Sequence, residues 1–167
     1  MPPDFNLPFV LSVVGAFLTS SVVAITYVWP AVRAMPRYDA LRLLAAFHAF
    51  RFLGMNFLVS GFVSPELSSD FASKVGWGDL IAASLALLSM AALSWRWSIA
   101  IPMVWIFNIW GTLDLLNAYY MGVKIGNPGL FGAAIYIPAL YVPLLLIAHV
   151  LAFVILLRTT PVARSVD

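Results

Sequence analysis

The chain of 167 residues contains no cysteine, and this absence excludes several kinds of site. Disulfides, thiol catalysis and cysteine-ligated metal centres all require that side chain. Charge is scarce as well, since charged residues make up 10% of the chain, against roughly 25% in ordinary soluble domains. The net charge of +2 is small and the basic residues are scattered, so the sequence gives no indication of a nucleic-acid partner.

Motifs that identify common enzymes are also missing. There is no serine in a nucleophile elbow, no HExxH and no glycine-rich phosphate loop. The first ten residues, MPPDFNLPFV, carry Asp4 but no lysine or arginine, whereas a secretory signal begins with positive charge. We therefore expect the first apolar segment to be a retained span. No internal repeat is visible, so an inverted-repeat transporter is not indicated.

Hydrophobic residues are what the sequence has in abundance, at 63% of the chain. A soluble core of this size could not bury so much apolar surface, so the expected solvent is lipid. Runs of about 20 apolar residues, enough to cross a hydrocarbon layer of ~30 Å, predict a single all-α domain over residues 1–167. It is an integral membrane bundle of five transmembrane helices, at Pro8–Trp29, Ala40–Phe62, Leu80–Trp95, Ser98–Tyr120 and Ile135–Leu157.

The charges between the spans predict the orientation of the bundle. With the N-terminus outside and the C-terminus inside, most of the basic residues fall on the cytoplasmic side, as the positive-inside bias requires. The expected location is the bacterial inner (cytoplasmic) membrane, with the lipid bilayer as the first partner. The inner residues are Arg33, Arg37, Arg42, Arg96, Arg158 and Arg164, and the outer ones are Lys74 and Lys124.

Arg51, in the stretch HAFRFLG, lies inside the second predicted span. At ~1.5 Å per residue it is about 16 Å from the start of that span, near the bilayer centre. A charge there costs about 2.5–3.5 kcal/mol on the insertion scale, and such residues usually face the bundle interior. His48 lies three residues earlier, on the same stripe of the helix. The sequence therefore predicts that both side chains point inward.

The fourth and fifth spans supply polar partners for Arg51. In FNIWGTLDLL, Asn108 and Asp114 lie on one arc of about 120°. Asp114 is the acid within the predicted spans, so we expect it to be the counter-ion. His149, in the fifth span, lies at nearly the depth of His48. The predicted polar cluster consists of His48, Arg51, Asn108, Asp114 and His149.

Three interpretations of the predicted polar cluster stay open. Its members can satisfy one another's hydrogen bonds and fix the register of the bundle. They can line a cavity that accepts a proton, an ion or a small polar molecule, because ionisable groups inside a membrane often mark pathways. Alternatively, His48 and His149 can both coordinate a haem iron, with Arg51 near a propionate.

The segment SPELSSDFASKVGWGDL is predicted to be an outer loop before the third helix. Asp79 at its end is placed to cap the first free N–H groups of that helix. The alternative makes Asp79, with Trp77, a ligand or cation site at the outer mouth of the bundle.

Four stretches, HAFRFLGMNFL, GWGDLIAA, FNIWGTLDLL and YIPALYVPLLLIAHVLAF, together resemble a widespread group of uncharacterised bacterial membrane proteins. The resemblance covers roughly residues 45–157. It implies that the motif positions belong together, and it implies no activity. These positions are His48, Arg51, Gly54, Trp77, Gly78, Asp79, Asn108, Gly111, Asp114 and His149.

The function that we expect from the sequence is non-enzymatic. The chain would be a binding or accessory subunit of a membrane assembly, with a larger membrane protein complex or a second copy of itself as partner. One alternative is a small permease or channel for a proton, an ion or a small polar molecule. The other is a haem- or quinone-linked redox protein, with haem as the one cofactor that the sequence suggests.

Overall fold

The computed structural model describes residues 6–158 of the chain. Over that range the regular secondary structure is helical, without a β-strand, which confirms the all-α part of the predicted fold class. The α-helices are α1 (Leu7–Val23), α2 (Trp29–Ala34), α3 (Arg37–Ala49), α4 (Ser69–Ser94), α5 (Ala100–Ile125) and α6 (Val142–Leu157). The remaining helical segments are π-helical at Ala24–Val28 and Ile137–Tyr141, and 3₁₀-helical at Phe50–Leu58 and Pro128–Ile135.

Three helices are long and apolar enough to cross a membrane. They are Leu7–Ala34, in which a π-helical turn joins α1 to α2, then Ser69–Ser94, and finally Ile137–Leu157. Their lengths of 28, 26 and 21 residues reach the ~20 residues that a bilayer core requires. The fourth predicted span corresponds to α5, which is 26 residues long and carries polar side chains in its middle.

The second predicted span is not a single α-helix. After α3 the chain continues as a 3₁₀ helix of nine residues, Phe50–Leu58, although such runs rarely exceed 3–4 residues. In a 3₁₀ helix, side chains three residues apart eclipse each other. Arg51, Gly54 and Phe57 therefore form one row, and they are the buried residues of this segment.

The prediction of a loop before the third helix is wrong. The helix α4 begins well before Leu80, and Ser68 is its N-cap, with the Ser68 Oγ accepting a hydrogen bond from the Phe71 amide at 3.4 Å. Phe71 and Val75, four residues apart, are both buried and give this polar-looking stretch an apolar face. Asp79 consequently lies within the helix and does not cap it.

Two apolar cores occupy opposite ends of the bundle, because one contains the first turns of α4 and the other its last turns. The helix α4 packs against α3, α5 and the first 3₁₀ segment, and α6 packs against α1, α3 and α5. One core contains Val32, Leu41, Leu44, Leu93, Val104 and Leu156, with smaller residues between them. The other contains Phe57, Leu67, Phe71, Val75 and Phe131, and we call it the phenylalanine core.

Most of the basic residues gather at the end away from the phenylalanine core, which we call the arginine end. Arg164 lies outside the described residues. The contacts of the other five are Arg37 Nη2 to Leu156 O (2.6 Å), Arg42 Nη1 to Ser94 Oγ (3.4 Å), Arg158 Nη1 to Arg33 O (3.5 Å) and Arg96 over the Tyr38 ring (5.9 Å). Five of the six arginines predicted to be cytoplasmic thus lie together.

The second 3₁₀ segment folds over the phenylalanine core. The Ala133 amide donates to the Phe62 carbonyl at 2.9 Å, and Gly132 turns the chain there with a φ of 52°. A Cβ atom at Gly132 would lie 2.6 Å from that same carbonyl oxygen, so only glycine fits. This contact holds Phe131 stacked on Phe71, with ring centroids 5.6 Å apart.

Candidate functional site

Arg51 is fully buried, between the two apolar cores. Its Nε donates to Asp79 Oδ1 at 2.7 Å, its Nη2 to Asp114 Oδ2 at 2.5 Å and its Nη1 to the Gly111 carbonyl at 3.1 Å. One guanidinium thereby joins the first 3₁₀ segment to α4 and α5. We call Arg51, Asp79 and Asp114 the ion triad.

The ion triad contains Asp114, which is the counter-ion expected from the sequence. It also contains Asp79, which the sequence analysis places at the end of a loop. Asp79 is 5% exposed and lies on the buried stripe of α4 that also holds Val75, Ala82 and Ala86. Those three apolar positions, at spacings of three and four around Asp79, are the signal that places its carboxylate inside the bundle. Asp114 is therefore not the single acid of the interior.

Two glycines make room for the carboxylates of the ion triad. A Cβ atom on Gly54 would lie 2.6 Å from the Cβ of Asp79, and one on Gly78 would lie 2.9 Å from the Cγ of Asp114. Real Cβ atoms do not approach heavy atoms so closely. Each glycine thus provides a space on one helical segment that the acidic side chain of the next segment fills.

Gly111 provides a third space, which the side chains of His149 and Arg51 share. A Cβ atom there would lie 2.7 Å from His149 Nε2 and 2.9 Å from Arg51 Nη1. The Gly111 carbonyl also accepts a hydrogen bond from Arg51. Gly54, Gly78 and Gly111 therefore all allow the segments around the site to pack closely.

Two histidines stack beside the ion triad, and we call His48 and His149 the histidine pair. Their ring centroids are 3.9 Å apart, and both side chains are buried. His149 Nδ1 lies 2.6 Å from Asn108 Oδ1, and Asn108 Nδ2 donates to the His149 carbonyl at 3.3 Å. Because a carboxamide oxygen can only accept, His149 Nδ1 carries the proton. The predicted polar cluster thus forms one connected group with Asp79 added.

The histidine pair does not fit a haem held between two imidazoles. Such ligands stand on opposite faces of the porphyrin with the iron between them, whereas these rings touch each other with 37° between their planes. Both ring nitrogens of His48 and the Nε2 of His149 have no hydrogen-bond partner within residues 6–158. In this arrangement the two rings do not hold an iron between them, so the described geometry does not support the haem interpretation.

Trp77 does not join Asp79 in a common site. Its side chain is 51% exposed, and residues two apart on an α-helix face different directions. Of the two residues predicted at the outer mouth, the structure brings only Asp79 to the buried group. The tryptophan lies on the outer surface of α4.

A cavity of about 300 Å³ lies beside the ion triad, between α1, α4, α5 and the two 3₁₀ segments. Asp79 is the charged residue of its described wall. The rest of the wall is mainly apolar, and it includes several aromatic rings. These are the rings of Phe9, Phe57, Phe71, Tyr119 and Phe131.

Comparison with known proteins gave one match. The family model described as Domain of unknown function (DUF8737) matches residues 8–157. No curated protein matched, and no solved structure matched. The matched range contains the ion triad, the histidine pair, Asn108 and the aromatic residues of the cavity wall.

Proposed function

The chain belongs to the family described as Domain of unknown function (DUF8737), and from the geometry of its interior we propose that it is a multi-pass membrane protein that binds a mainly apolar small molecule without transforming it. The observation that carries this proposal is the cavity of about 300 Å³ with Asp79 in its wall. Ligand sites of this kind are concave, mostly apolar and supplied with few polar groups, with volumes of about 300–1,000 Å³.

We propose that five segments cross the membrane. Three helices of sufficient length and apolarity support this, together with α5 and with α3 continued by its 3₁₀ segment. The N-terminus would lie outside and the C-terminus in the cytoplasm of a bacterial cell, with the arginine end at the inner face. The clustering of five arginines at one end supports that orientation.

The binding function is tested by filling the cavity. Gly122 lies in its wall, and a Cβ atom there would meet only the Phe131 ring, at 3.6 Å. Gly122→Leu therefore places its side chain in the cavity without a backbone clash. The matched control is Gly15→Leu, because a Cβ atom on Gly15 has nothing within 4 Å.

Native mass spectrometry of protein purified in mild detergent gives the result. We expect the wild-type chain and Gly15→Leu to retain a bound small molecule of defined mass, and Gly122→Leu to lose it. Retention of the same molecule by Gly122→Leu, or its absence from the wild-type protein, would show that the cavity is not a binding site.

The exterior of the bundle suits a role as an accessory subunit, within a larger membrane complex or as a homo-oligomer. Leu11, Leu18 and Val22 on α1 are each at least 60% exposed, and in a membrane they face lipid or another transmembrane helix. Blue-native electrophoresis after mild extraction tests this role. A band at the mass of the single chain would contradict it.

Transport is the second candidate, because two segments next to the site depart from α-helical geometry. They are π-helical at Ile137–Tyr141 and 3₁₀-helical at Phe50–Leu58. Such segments often mark hinges and functional positions. A permease or channel for a proton, an ion or a small polar molecule would give flux into liposomes that Asp114→Asn abolishes. Flux equal to that of empty liposomes would contradict it.

A further inference from the structure

We propose that the ligand of the cavity is a lipophilic organic cation, with an ammonium group beside Asp79 and an apolar body among the aromatic rings. This inference rests on the proposed binding function and names the chemical class of the ligand. Two independent features of the cavity carry it: the charge balance of the ion triad beside it and the composition of its wall.

The ion triad is one positive charge short. It contains two carboxylates and one guanidinium, so its formal charge is −1 when both acids are ionised. Each carboxylate gives Arg51 one oxygen, Oδ1 of Asp79 and Oδ2 of Asp114, while its second oxygen packs against Gly54 or Gly78. An unbalanced charge is costly in a low-dielectric interior, so a cationic ligand gains an electrostatic attraction that a neutral one lacks.

Other cationic side chains near this half of the bundle are already engaged. Lys74 pairs with Asp70 at 2.8 Å, and Lys124 lies over the Tyr120 ring at 4.2 Å. The histidine pair packs against Phe107, away from the cavity wall. Within the described chain, no other cationic side chain supplies the missing positive charge, and a bound cation would supply it.

Aromatic rings form much of the wall. Phe57, Phe71 and Phe131 pack together with ring centroids 5.6–6.0 Å apart, and Phe9 and Tyr119 add two more rings. The faces of aromatic rings attract organic cations, and quaternary ammonium groups are commonly bound by such rings. A wall that combines one carboxylate with several aromatic rings is complementary to an ammonium group on an apolar body.

The same wall disfavours two other ligand classes. An anion would meet the Asp79 carboxylate. A quinone is uncharged, and the Tyr119 hydroxyl in the wall already donates to the Pro138 carbonyl at 2.8 Å. Neither ligand class would balance the negative charge of the triad.

Thermal unfolding in mild non-ionic detergent tests the charge preference with three matched probes. They are benzyltrimethylammonium, its uncharged carbon isostere neopentylbenzene, and the anion benzenesulfonate. Because a ligand that binds only the folded state stabilises it by mass action, we expect the cation to raise Tm saturably by several degrees. The isostere should raise it less at the same concentration, and the anion not at all.

Asp79→Asn and Asp114→Asn locate the effect. Each leaves one carboxylate for Arg51, so the triad becomes neutral and the cation-specific rise in Tm should disappear. Two such variants are used so that the change in Tm can still be measured in one of them if the other fails to fold. The control is Asp70→Asn on the same helix as Asp79, because the Asp70 side chain is 73% exposed. It should respond to the cation as the wild-type chain does.

The outcomes separate this inference from the binding function. If neopentylbenzene raises Tm as much as the cation and Gly122→Leu abolishes both effects, the cavity binds apolar molecules and the charge inference is wrong. A cation effect that persists in both Asp→Asn variants also overturns it. If no probe changes Tm and Gly122→Leu retains the same molecules as the wild-type chain, both proposals are wrong.

Discussion

Arg51 joins separate helical segments because its guanidinium offers donors in several directions at once. Its Nε and Nη2 reach carboxylates on α4 and α5, while Nη1 reaches a backbone carbonyl. A lysine ammonium is a compact point charge without this fork, so it cannot reproduce the three contacts. The residue-scale role of Arg51 is therefore geometric as well as electrostatic.

Removal of the guanidinium should destabilise the fold strongly. Arg51→Met leaves two buried carboxylates without a partner, and breaking a buried pair in this way costs about 3–5 kcal/mol. We expect a large fall in Tm and in yield after mild extraction. The triple variant Arg51→Met/Asp79→Asn/Asp114→Asn should recover part of the loss, because no charge is left unpaired.

The exposed pair of Arg42 and Asp39, 3.0 Å apart, is the control for that experiment. Arg42→Met should change stability by at most about 1 kcal/mol, as is usual for exposed ion pairs. Equal losses for Arg42→Met and Arg51→Met would contradict the central position of the ion triad.

Gly78 tests the close packing of the same site. Gly78→Ala puts a methyl group against the Asp114 carboxylate, and overpacking of this kind costs about 1–3 kcal/mol. In Gly122→Ala the new methyl group meets only an ordinary contact at 3.6 Å, so higher helix propensity should stabilise that variant by about 0.5–1 kcal/mol. Thermal unfolding of the two variants should therefore shift in opposite directions. A rise in Tm for Gly78→Ala would show that the helices move apart freely.

The histidine pair should respond asymmetrically to substitution. His48 makes no hydrogen bond through its ring within the described chain, so His48→Phe removes two unpaired polar atoms and should leave Tm unchanged or higher. His149→Phe removes the partner of the Asn108 carboxamide and should cost about 1–3 kcal/mol. Similar losses in both variants would mean that His48 has a polar partner of its own.

At the scale of elements, the residue spacing around Arg51 indicates a 3₁₀ helix, although the sequence analysis interprets it as part of an α-helix. The four residues His48, Arg51, Gly54 and Phe57 repeat every three positions, which matches a 3₁₀ helix better than the 3.6-residue period of an α-helix. The position of His48 and Arg51 on one stripe of the helix predicted their burial correctly. It could not predict the 3₁₀ geometry, because tertiary contacts of Arg51 with α4 and α5 stabilise it.

The early start of α4 was missed for a different physical reason. Its first turns carry serine, aspartate and lysine, so hydropathy alone assigns them to a loop. Their apolar face, with Phe71 and Val75, is recognisable only once Phe57 and Phe131 are known to lie opposite. Asp79 was assigned to a cap as a direct consequence of that boundary.

The start of α4 can be tested through its cap. Ser68→Ala removes the acceptor for the Phe71 amide, and loss of such a cap costs about 0.5–2 kcal/mol. The control is Ser84→Ala in the middle of the same helix, whose hydroxyl only bonds back to the Leu80 carbonyl. Thermal unfolding should show a lower Tm for Ser68→Ala alone. An unchanged Tm would mean that the first turn contributes little.

At the scale of the whole molecule, the arrangement is a polar layer between two apolar cores, with the arginines at one end. The sequence predicted the position of that layer, because Arg51, Asn108 and Asp114 fall near the middle of their segments. It did not predict the cavity, because a cavity depends on how side chains from several segments pack.

The absence of cysteine makes the proposed orientation directly testable. Val123→Cys and Trp95→Cys each introduce a single thiol, at positions that are 78% and 68% exposed at opposite ends of the bundle. In intact cells, a membrane-impermeant maleimide should label Val123→Cys, and it should label Trp95→Cys only after the cells are opened. The reverse pattern would place the arginine end outside.

The order of the ion triad along the chain has a consequence for biogenesis. Arg51 leaves the ribosome before Asp79, and Asp79 before Asp114. In the proposed topology, a nascent chain that ends between the first and second of these carries an uncompensated guanidinium in its second segment, which is then unstable in the bilayer. Stable insertion of that segment would require the later ones, and we expect truncated translation products to be degraded by membrane proteases.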